Sequence, residues 1–322
     1  MEEKCLNIEK NDEILVSVAI VTYNHEKFIS QTIESILNQK TNFKIEIVIG
    51  EDCSTDKTGQ ICLEYYQKYP NKIVLLLNEE NLGLRRNNIN TWSFCRGKYI
   101  AMCEGDDYWT DNLKLQKQVD ILEKNNKYSA CFHQVEIFDI ETNTKKLFAP
   151  YTETQTFNFD QIIERWISHT NSIVFKNFFN SDLIQCNTIR KQIFSSPYFW
   201  SDRPLETFIA KLGDYYYLPE TMSVFRRHAS NMTKIGKIAT MNFEGAMAFY
   251  LMKSLFPENR KILSEQVIRW SLLAAEAAFI DKKLFYFLRY LIFAIFNIRT
   301  ILGLKNVVKS SINIIKHQKI YE

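Results

Sequence analysis

Carboxylates gather at three places in this 322-residue chain: Glu51-Asp52 with Asp56 close behind, then Glu104, Asp106 and Asp107, and later Asp202. The middle group directly follows Tyr99-Ile-Ala-Met-Cys103, a short apolar run with the character of a buried strand. Carboxylates at the carboxyl end of such a strand stand where open α/β sheets keep their ligands. Buried without partners they are costly, so a hard divalent cation is their natural companion. The competing reading is local, since Asp and Asn also cap helices and make turns. Capping accounts for Asp56 and Asp111. It accounts poorly for a Gly-Asp-Asp triplet set directly after a buried strand, and the group is read as a metal site.

The elements that must position these groups alternate. Leu15 to Val21, Ile45 to Ile49, Ile73 to Leu77 and Tyr99 to Cys103 are apolar, β-branched runs that predict strands covered on both faces. Between them, Phe28 to Leu37, a stretch through Ile61 to Tyr66 capped by Ser54 or Thr55, and Arg86 to Phe94 predict helices. Strand and helix in alternation with short connections imply parallel, right-handed βαβ units over roughly the first 125 residues. Beyond that, Leu113 to Leu122 predicts a helix, and Ala130 to Ile137 with Asn143 to Leu147 predicts two strands meeting at a turn. Phe159 to Trp166, Ser181 to Phe194 and Leu205 to Leu212 predict helices. Ser172 to Phe175, Tyr215 to Leu218 and Met222 to Phe225 predict strands, the last two flanking Pro219. From about Met241 the pattern is helical, with a domain boundary expected near Lys234 to Ile238.

Composition narrows the function. With 46% hydrophobic and 24% charged residues the chain is ordinary globular protein, and a net charge of +3 gives no case for nucleic acid as a partner. Seven cysteines without a C-x-x-C pair suit neither a disulfide framework nor a zinc site, and predict reduced cytoplasmic thiols. Met1 to Asn11 is charged and polar and predicts no secretory signal. Leu284 to Leu304, the most apolar stretch, is broken by Arg289 and Arg299 and falls short of the ~20 residues a membrane span needs.

Four stretches taken in order carry a resemblance: VSVAIVTYNHEKFISQTIESILNQ (16–39), EIVIGEDCSTDKT (46–58), NLG (81–83) and GKYIAMCEGDDYW (97–109). Together they resemble family 2 glycosyltransferases of the bacterial polysaccharide type, over roughly residues 14 to 232. The resemblance implies the GT-A fold, a Rossmann-like, mainly parallel mixed sheet flanked by helices, here with a helical C-terminal extension. It divides the chain into a catalytic domain at 1–234, with a nucleotide-sugar half at about 14–125 and an acceptor half at about 126–234, and a helical region at 235–322.

Carried over position by position, the resemblance implies that Thr22, Tyr23 and Asn24 line the nucleotide pocket and that Asp52, beside Glu51, contacts the base or ribose. Gly83 and Arg86 would lie by the pyrophosphate, although Arg85 and Arg86 could also be two solvated side chains at a helix start. Asp107 matches the residue that coordinates Mn²⁺ or Mg²⁺, with Asp106 orienting the sugar or ribose. Glu104 stands where the family's first Asp would be and is expected not to touch the metal. Phe199-Trp-Ser-Asp202-Arg-Pro-Leu205 is similar to the family's Asp-x-Pro-Leu segment, which makes Asp202 the base that deprotonates the acceptor hydroxyl in inverting members; it could also cap the helix it precedes. In Arg226-Arg-His228-Ala-Ser-Asn231, His228 is read either as a further metal ligand or as a structural contact. His25, His133 and His169 have readings as turn or strand residues, and Thr170-Asn171-Ser172 after His169 could face an acceptor cleft.

The implied activity is inverting transfer of a sugar from a nucleotide-diphospho-sugar, a UDP-sugar first, to a saccharide or lipid-linked saccharide hydroxyl. A nucleotidyltransferase would share such a core, but it carries a Gly-rich phosphate turn that Thr22-Tyr23-Asn24-His25 lacks. A non-catalytic nucleotide-sugar or glycan-binding module fits less well with Asp107 and Asp202 in place. Residues 282–322 hold eight Lys or Arg against one acid, Glu322, among many aromatic and aliphatic side chains. That pattern suits an interfacial segment on an anionic membrane, or helices packed on the catalytic domain with solvated charges. The expected location is cytoplasmic, with peripheral contact at the inner face of the cell membrane.

Overall fold

A computed structural model describes residues 14–165, 167–179, 202–229, 231 and 238–297. The elements in chain order are β1 (Ile14–Thr22), α1 (Ile29–Leu37), β2 (Lys44–Glu51), α2 (Thr58–Lys68), β3 (Ile73–Leu77), α3 (Leu84–Ser93), β4 (Tyr99–Glu104), β5 (Tyr108–Trp109), α4 (Lys114–Lys124), β6 (Tyr128–Asp139), β7 (Thr144–Leu147), β8 (Gln155–Phe157), α5 (Phe159–Glu164), β9 (Val174–Lys176), α6 (Asp202–Lys211), β10 (Asp214–Arg227), α7 (Ile238–Leu255), α8 (Arg260–Ile280) and α9 (Leu284–Phe296). They form two compact units. The first comprises Met1–Phe159, Ile167–Ser195 and Glu206–His228, and the second Asp160–Trp166, Ser196–Leu205 and Ala229–Glu322.

The first unit is built on one sheet in the order β3-β2-β1-β4-β9-β6-β10-β5, with β7 on β6 and β8 on β10. The four apolar runs that predict covered strands are β1 to β4, all parallel, and their side chains meet α1, α2 and α4 in one core. Beyond β4 the sheet becomes mixed, because β9 runs antiparallel to both β4 and β6. β6 and β10 are again parallel to each other.

The two pieces expected on either side of Pro219 are one strand. The pairing of β10 with β6 shifts register between Leu218 and Thr221 and again before Ser223. Proline has no N–H to give a neighbouring strand, and a bulge absorbs it without ending the strand. Of the residues expected to cap α2, Asp56 meets its first turn and Ser54 does not. Asp56 Oδ1 accepts from the Thr58 amide at 2.9 Å, while Ser54 Oγ instead accepts from the Asn24 amide at 3.0 Å. The helix expected over Ser181 to Phe194 and the boundary before Ile238 lie outside the described residues.

One buried carboxylate, paired with a half-exposed arginine, fixes the edge from which β4 starts. Glu46 in β2 accepts from Ser17 Oγ (2.5 Å) and the Arg96 amide (2.8 Å) with one oxygen, and from Arg96 Nε (2.9 Å) and Nη2 (2.6 Å) with the other. Its carboxylate is buried, whereas the Arg96 side chain is 42% exposed and can find water if released. Removing Glu46 therefore leaves chiefly Ser17 and one amide unsatisfied. Glu46→Ala should lower unfolding stability by about 2 kcal/mol in urea titration; a change below about 0.5 kcal/mol would show that the pair does not hold this edge.

Candidate functional site

The site grows from the carboxyl ends of β1, β2 and β4, which lie side by side. The turn after β1 is laced to the loop after β2. The Asp52 amide donates to the Thr22 carbonyl (3.0 Å), the Thr55 amide to Asn24 Oδ1 (2.8 Å) and the His25 amide to Thr58 Oγ1 (2.8 Å). The Glu26 amide donates to Asp56 Oδ2 (3.1 Å), and the Lys57 amide returns a bond to Glu26 Oε2 (3.1 Å). Asn24 adopts φ 56°, a left-handed conformation that its short polar side chain tolerates. Asn24 thus acts as the tie between the two loops, while Tyr23 beside it is exposed.

Asp52 is buried and holds the next loop by its backbone. Its Oδ1 accepts from the Leu82 amide (2.8 Å) and Asn78 Nδ2 (3.1 Å), and its Oδ2 from the Gly83 amide (2.9 Å). A carboxylate has about four acceptor positions, which leaves Asp52 capacity for a ligand donor. Gly83 sits at φ 79°, the positive-φ position that an NLG turn needs to enter α3. Glu51 is buried too and accepts from the Ser54 amide at 2.8 Å. Of the two arginines after the turn, Arg86 is exposed. Arg85 is only partly so, and burial lowers the pKa of its guanidinium.

The three acidic side chains after β4 part company. Gly105 separates them because nothing larger fits there: a Cβ would come within 2.4 Å of Thr22 Oγ1 and 2.8 Å of His25 Nδ1. Asp106 joins the first-turn side. Its Oδ2 lies 3.0 Å from His228 Nε2 and 3.8 Å from His25 Nε2. His25 is fixed in turn by Thr22 Oγ1, 3.2 Å from its Nδ1. Burial pushes the Asp106 carboxyl up, but the hydrogen bond and charge of His228 and the charge of His25 outweigh it and hold the group below the usual carboxylate range. His25 itself is lowered, since burial exceeds the pull of Asp106.

Asp107 is only 1% exposed and turns toward the strands. Its Oδ2 accepts from Asn171 Nδ2 (2.8 Å) and its Oδ1 from the Arg226 amide (3.0 Å). Burial first, then the charges of Asp106 and Glu104, push its carboxyl well above the usual range. Glu104, expected away from any metal, lies with Asp107 and His169: one ligand atom from each falls within 4.8 Å of the others. Two carboxylates and an imidazole are a donor set suited to Mn²⁺, and the raised carboxyl of Asp107 marks a place where positive charge is wanted.

Three residues to which the sequence assigned no donor or metal role build this site. Asn171 donates to Asp107 and to the Val224 carbonyl (3.2 Å), and accepts from Ser223 Oγ (3.0 Å). Arg226 donates through Nη1 to the Asp106 carbonyl (2.5 Å) and through Nη2 to Gln31 Oε1, with its guanidinium over the Tyr108 ring at 4.3 Å. His169 packs against Phe225 and Phe148. All three come from segments brought in by β9 and β10, and the Thr170-Asn171-Ser172 stretch and the Arg226-Arg-His228 segment were the available signals. Asp202 is the first described residue of α6, and the residues before it lie outside the described ones.

The sequence profile of "Glycosyl transferase family 2" matches residues 17–183. This chain belongs to that family. An uncharacterized protein of Mycobacterium tuberculosis, Rv1520, is 35% identical over 214 residues, 66% of this chain and 59% of that protein. The chain therefore spans about three fifths of the length of the first relatives it matches. The Escherichia coli protein named UDP-Glc:alpha-D-GlcNAc-diphosphoundecaprenol beta-1,3-glucosyltransferase WfgD is 33% identical over 139 residues, 43% of this chain and 53% of that one. Among solved structures, S. aureus TarS 1-349 in complex with UDP-GlcNAc superposes with a TM-score of 0.61 at 16% identity, covering 94% of this chain and 92% of that one. The architecture is thus that of the GT-A glycosyltransferases.

Burial brings His169 down to about 4, against weaker upward pulls from Asn171 and Asp106. The unfolded chain takes up this proton near 6.5, so stability present above that pH is lost as the pH falls toward 4. At pH 5 the loss from this group is about 2 kcal/mol. His133, also pushed down by burial, adds in the same direction. Urea unfolding in a chelator at pH 7 and pH 5 should show a marked drop for the parent chain and a smaller one for His169→Gln. Equal drops would contradict a buried neutral imidazole at 169.

Proposed function

We propose that the chain is an inverting glycosyltransferase that transfers a sugar from a nucleotide-diphospho-sugar, a UDP-sugar first, to a hydroxyl of a saccharide or lipid-linked saccharide. The observation that carries this reading is the meeting of buried acids with imidazoles at the end of β4, in a chain of family 2. Asp106 lies against His228 and His25, and Glu104, Asp107 and His169 gather beside it. The name of the E. coli relative, with a UDP-Glc donor and a diphosphoundecaprenol-linked acceptor, supports both substrate classes.

In this reading Thr22, Tyr23, Asn24, Glu51 and Asp52 shape the nucleotide pocket, and Gly83 and Arg86 border the diphosphate. Asp106 orients the sugar or ribose. Asp107, with Glu104 and His169 near it and His228 on the Asp106 side, supplies ligands for Mn²⁺ or Mg²⁺. Such an ion, when bound, neutralises charge on the departing nucleoside diphosphate. Asp202 accepts the proton of the acceptor hydroxyl as its oxygen attacks the anomeric carbon. The new carbon–oxygen bond forms as the bond to the diphosphate breaks on the opposite face, and the anomeric centre inverts. Residues 1–234 form the catalytic part, with donor contacts from about 14–125 and acceptor contacts from about 126–234. Residues 235–322 add a helical part that meets the inner face of the cell membrane through 282–322. No helix among the described residues is long and apolar enough to cross a membrane, which suits a peripheral contact.

Positioned proton transfer contributes about 10²–10⁴-fold. Asp202→Asn should therefore leave UDP-sugar affinity nearly unchanged while transfer, followed by product formation on a diphospholipid-linked saccharide, falls about a hundredfold or more. Undiminished transfer in that variant removes Asp202 from the role of base.

A further inference from the structure

The second unit contains a helix with two contrasting faces. On one face of α9, Tyr290 and Ala294 are buried against α7 and α8. Tyr290 stacks on Phe243 at 4.4 Å and shares a cluster with Ala274, Ala275 and Ala278, while Ala294 packs with Ile268 and Leu272. Just past the helix end, Asn297 Oδ1 accepts from Lys253 Nζ at 2.9 Å. The other face carries Leu284, Phe285, Leu288, Ile292, Ile295 and Phe296, which are 46% to 82% exposed. At 3.6 residues per turn these six lie within an arc of about 120°. A continuous apolar strip of this kind on a solvated helix marks an interaction surface rather than scattered surface residues.

Charge at the margins identifies the occupant. Lys282 and Lys283 stand exposed at the start of the helix, and Arg289 borders the arc near its middle, with its guanidinium over the Phe243 ring at 5.4 Å. Asp281, paired with Lys283 at 3.2 Å, is the one acid next to them. The 13 residues of α9 extend about 20 Å, too short for a hydrocarbon core of about 30 Å, so a helix of this length fits only along a membrane surface. Pairing of two copies about a two-fold axis through this face would bring the two Arg289 close together, which disfavours a second chain as occupant.

We infer that the outward face of α9 is a membrane-docking surface: it lies in the plane of an anionic bilayer with Leu284, Phe285, Leu288, Ile292, Ile295 and Phe296 among the acyl chains and Lys282, Lys283 and Arg289 at the headgroups. The inference deepens the reading of a membrane contact through 282–322 and rests on it for its purpose, that of meeting a lipid-linked acceptor. The physical surface is open to test without any substrate.

Sedimentation of the full chain with phosphatidylcholine vesicles, with and without about one-third phosphatidylglycerol, is the direct measurement. Binding should be about tenfold or more tighter on the anionic vesicles. The double variant Phe285→Ser, Ile292→Ser should lose about tenfold or more of it with its helical content unchanged, and Lys282→Gln with Lys283→Gln should erase the preference for anionic lipid. Anionic-vesicle binding that survives the apolar double variant overturns the inference. So does absence of vesicle binding together with a dimer, seen by light scattering, that the same variant dissociates. Vesicle binding is scored without donor or acceptor. It can stand when a lipid-linked acceptor proves not to be used, and it can fail while transfer to such an acceptor is observed.

Discussion

Glu104, Asp106 and Asp107 crowd three carboxylates onto the end of a buried strand, and the surrounding structure is arranged by how that charge is managed. Charges taken out of water need partners or they take up protons. Asp106 receives imidazoles, which hold it ionised. Asp107 receives an amide side chain and a backbone N–H, which satisfy its oxygens without neutralising it, and its carboxyl is driven upward by its neighbours. One carboxylate is thus settled and the next is not, which suits the proposed cation and diphosphate.

The settlement depends on long-range contributions. Thr32 of α1 donates from one hydroxyl to the Gly105 carbonyl (3.0 Å) and the Asp107 carbonyl (2.6 Å), which shapes the turn that separates the acids. Arg226 and Asn171 approach from the mixed half of the sheet and bind that turn from the other side. Trp109 closes the arrangement, with its Nε1 donating to the Asn171 carbonyl at 3.0 Å and its ring under the buried ammonium of Lys114 at 3.9 Å. Burial lowers Lys114 to about 7, so its amine is shared between the charged and neutral forms near neutrality. The first turn and the loop after β2 are tied by backbone amides that donate to the Asn24 and Asp56 side chains, which fixes the two loops to each other.

Much of this was legible in the sequence where local physics decides it. β1 to β4 were visible because strands covered on both faces are continuous apolar runs, and the acidic turn was visible because capping does not account for it. The partition of the acids was not visible. His228 and His25 meet Asp106, and Glu104 and His169 gather with Asp107, through contacts between strands far apart in sequence, and spacing along one chain carries no record of them. Pro219 misled for a physical reason: it removes one ladder hydrogen bond, which reads as an interruption, yet a bulge lets β10 continue. The bonds of Asn171 to Asp107 and of Arg226 to the Asp106 carbonyl and Gln31 were not visible, because each forms only once the sheet has assembled.

The central claim is that these carboxylates hold a divalent cation against a nucleoside diphosphate. Calorimetric titration of UDP into the full chain, in Mn²⁺ and in EDTA, tests it most directly. The account predicts that Mn²⁺ tightens UDP binding about tenfold or more, and that this gain disappears in the double variant Asp106→Asn, Asp107→Asn while the chain stays folded. Equal affinity for UDP with and without Mn²⁺ in the unaltered chain would contradict it.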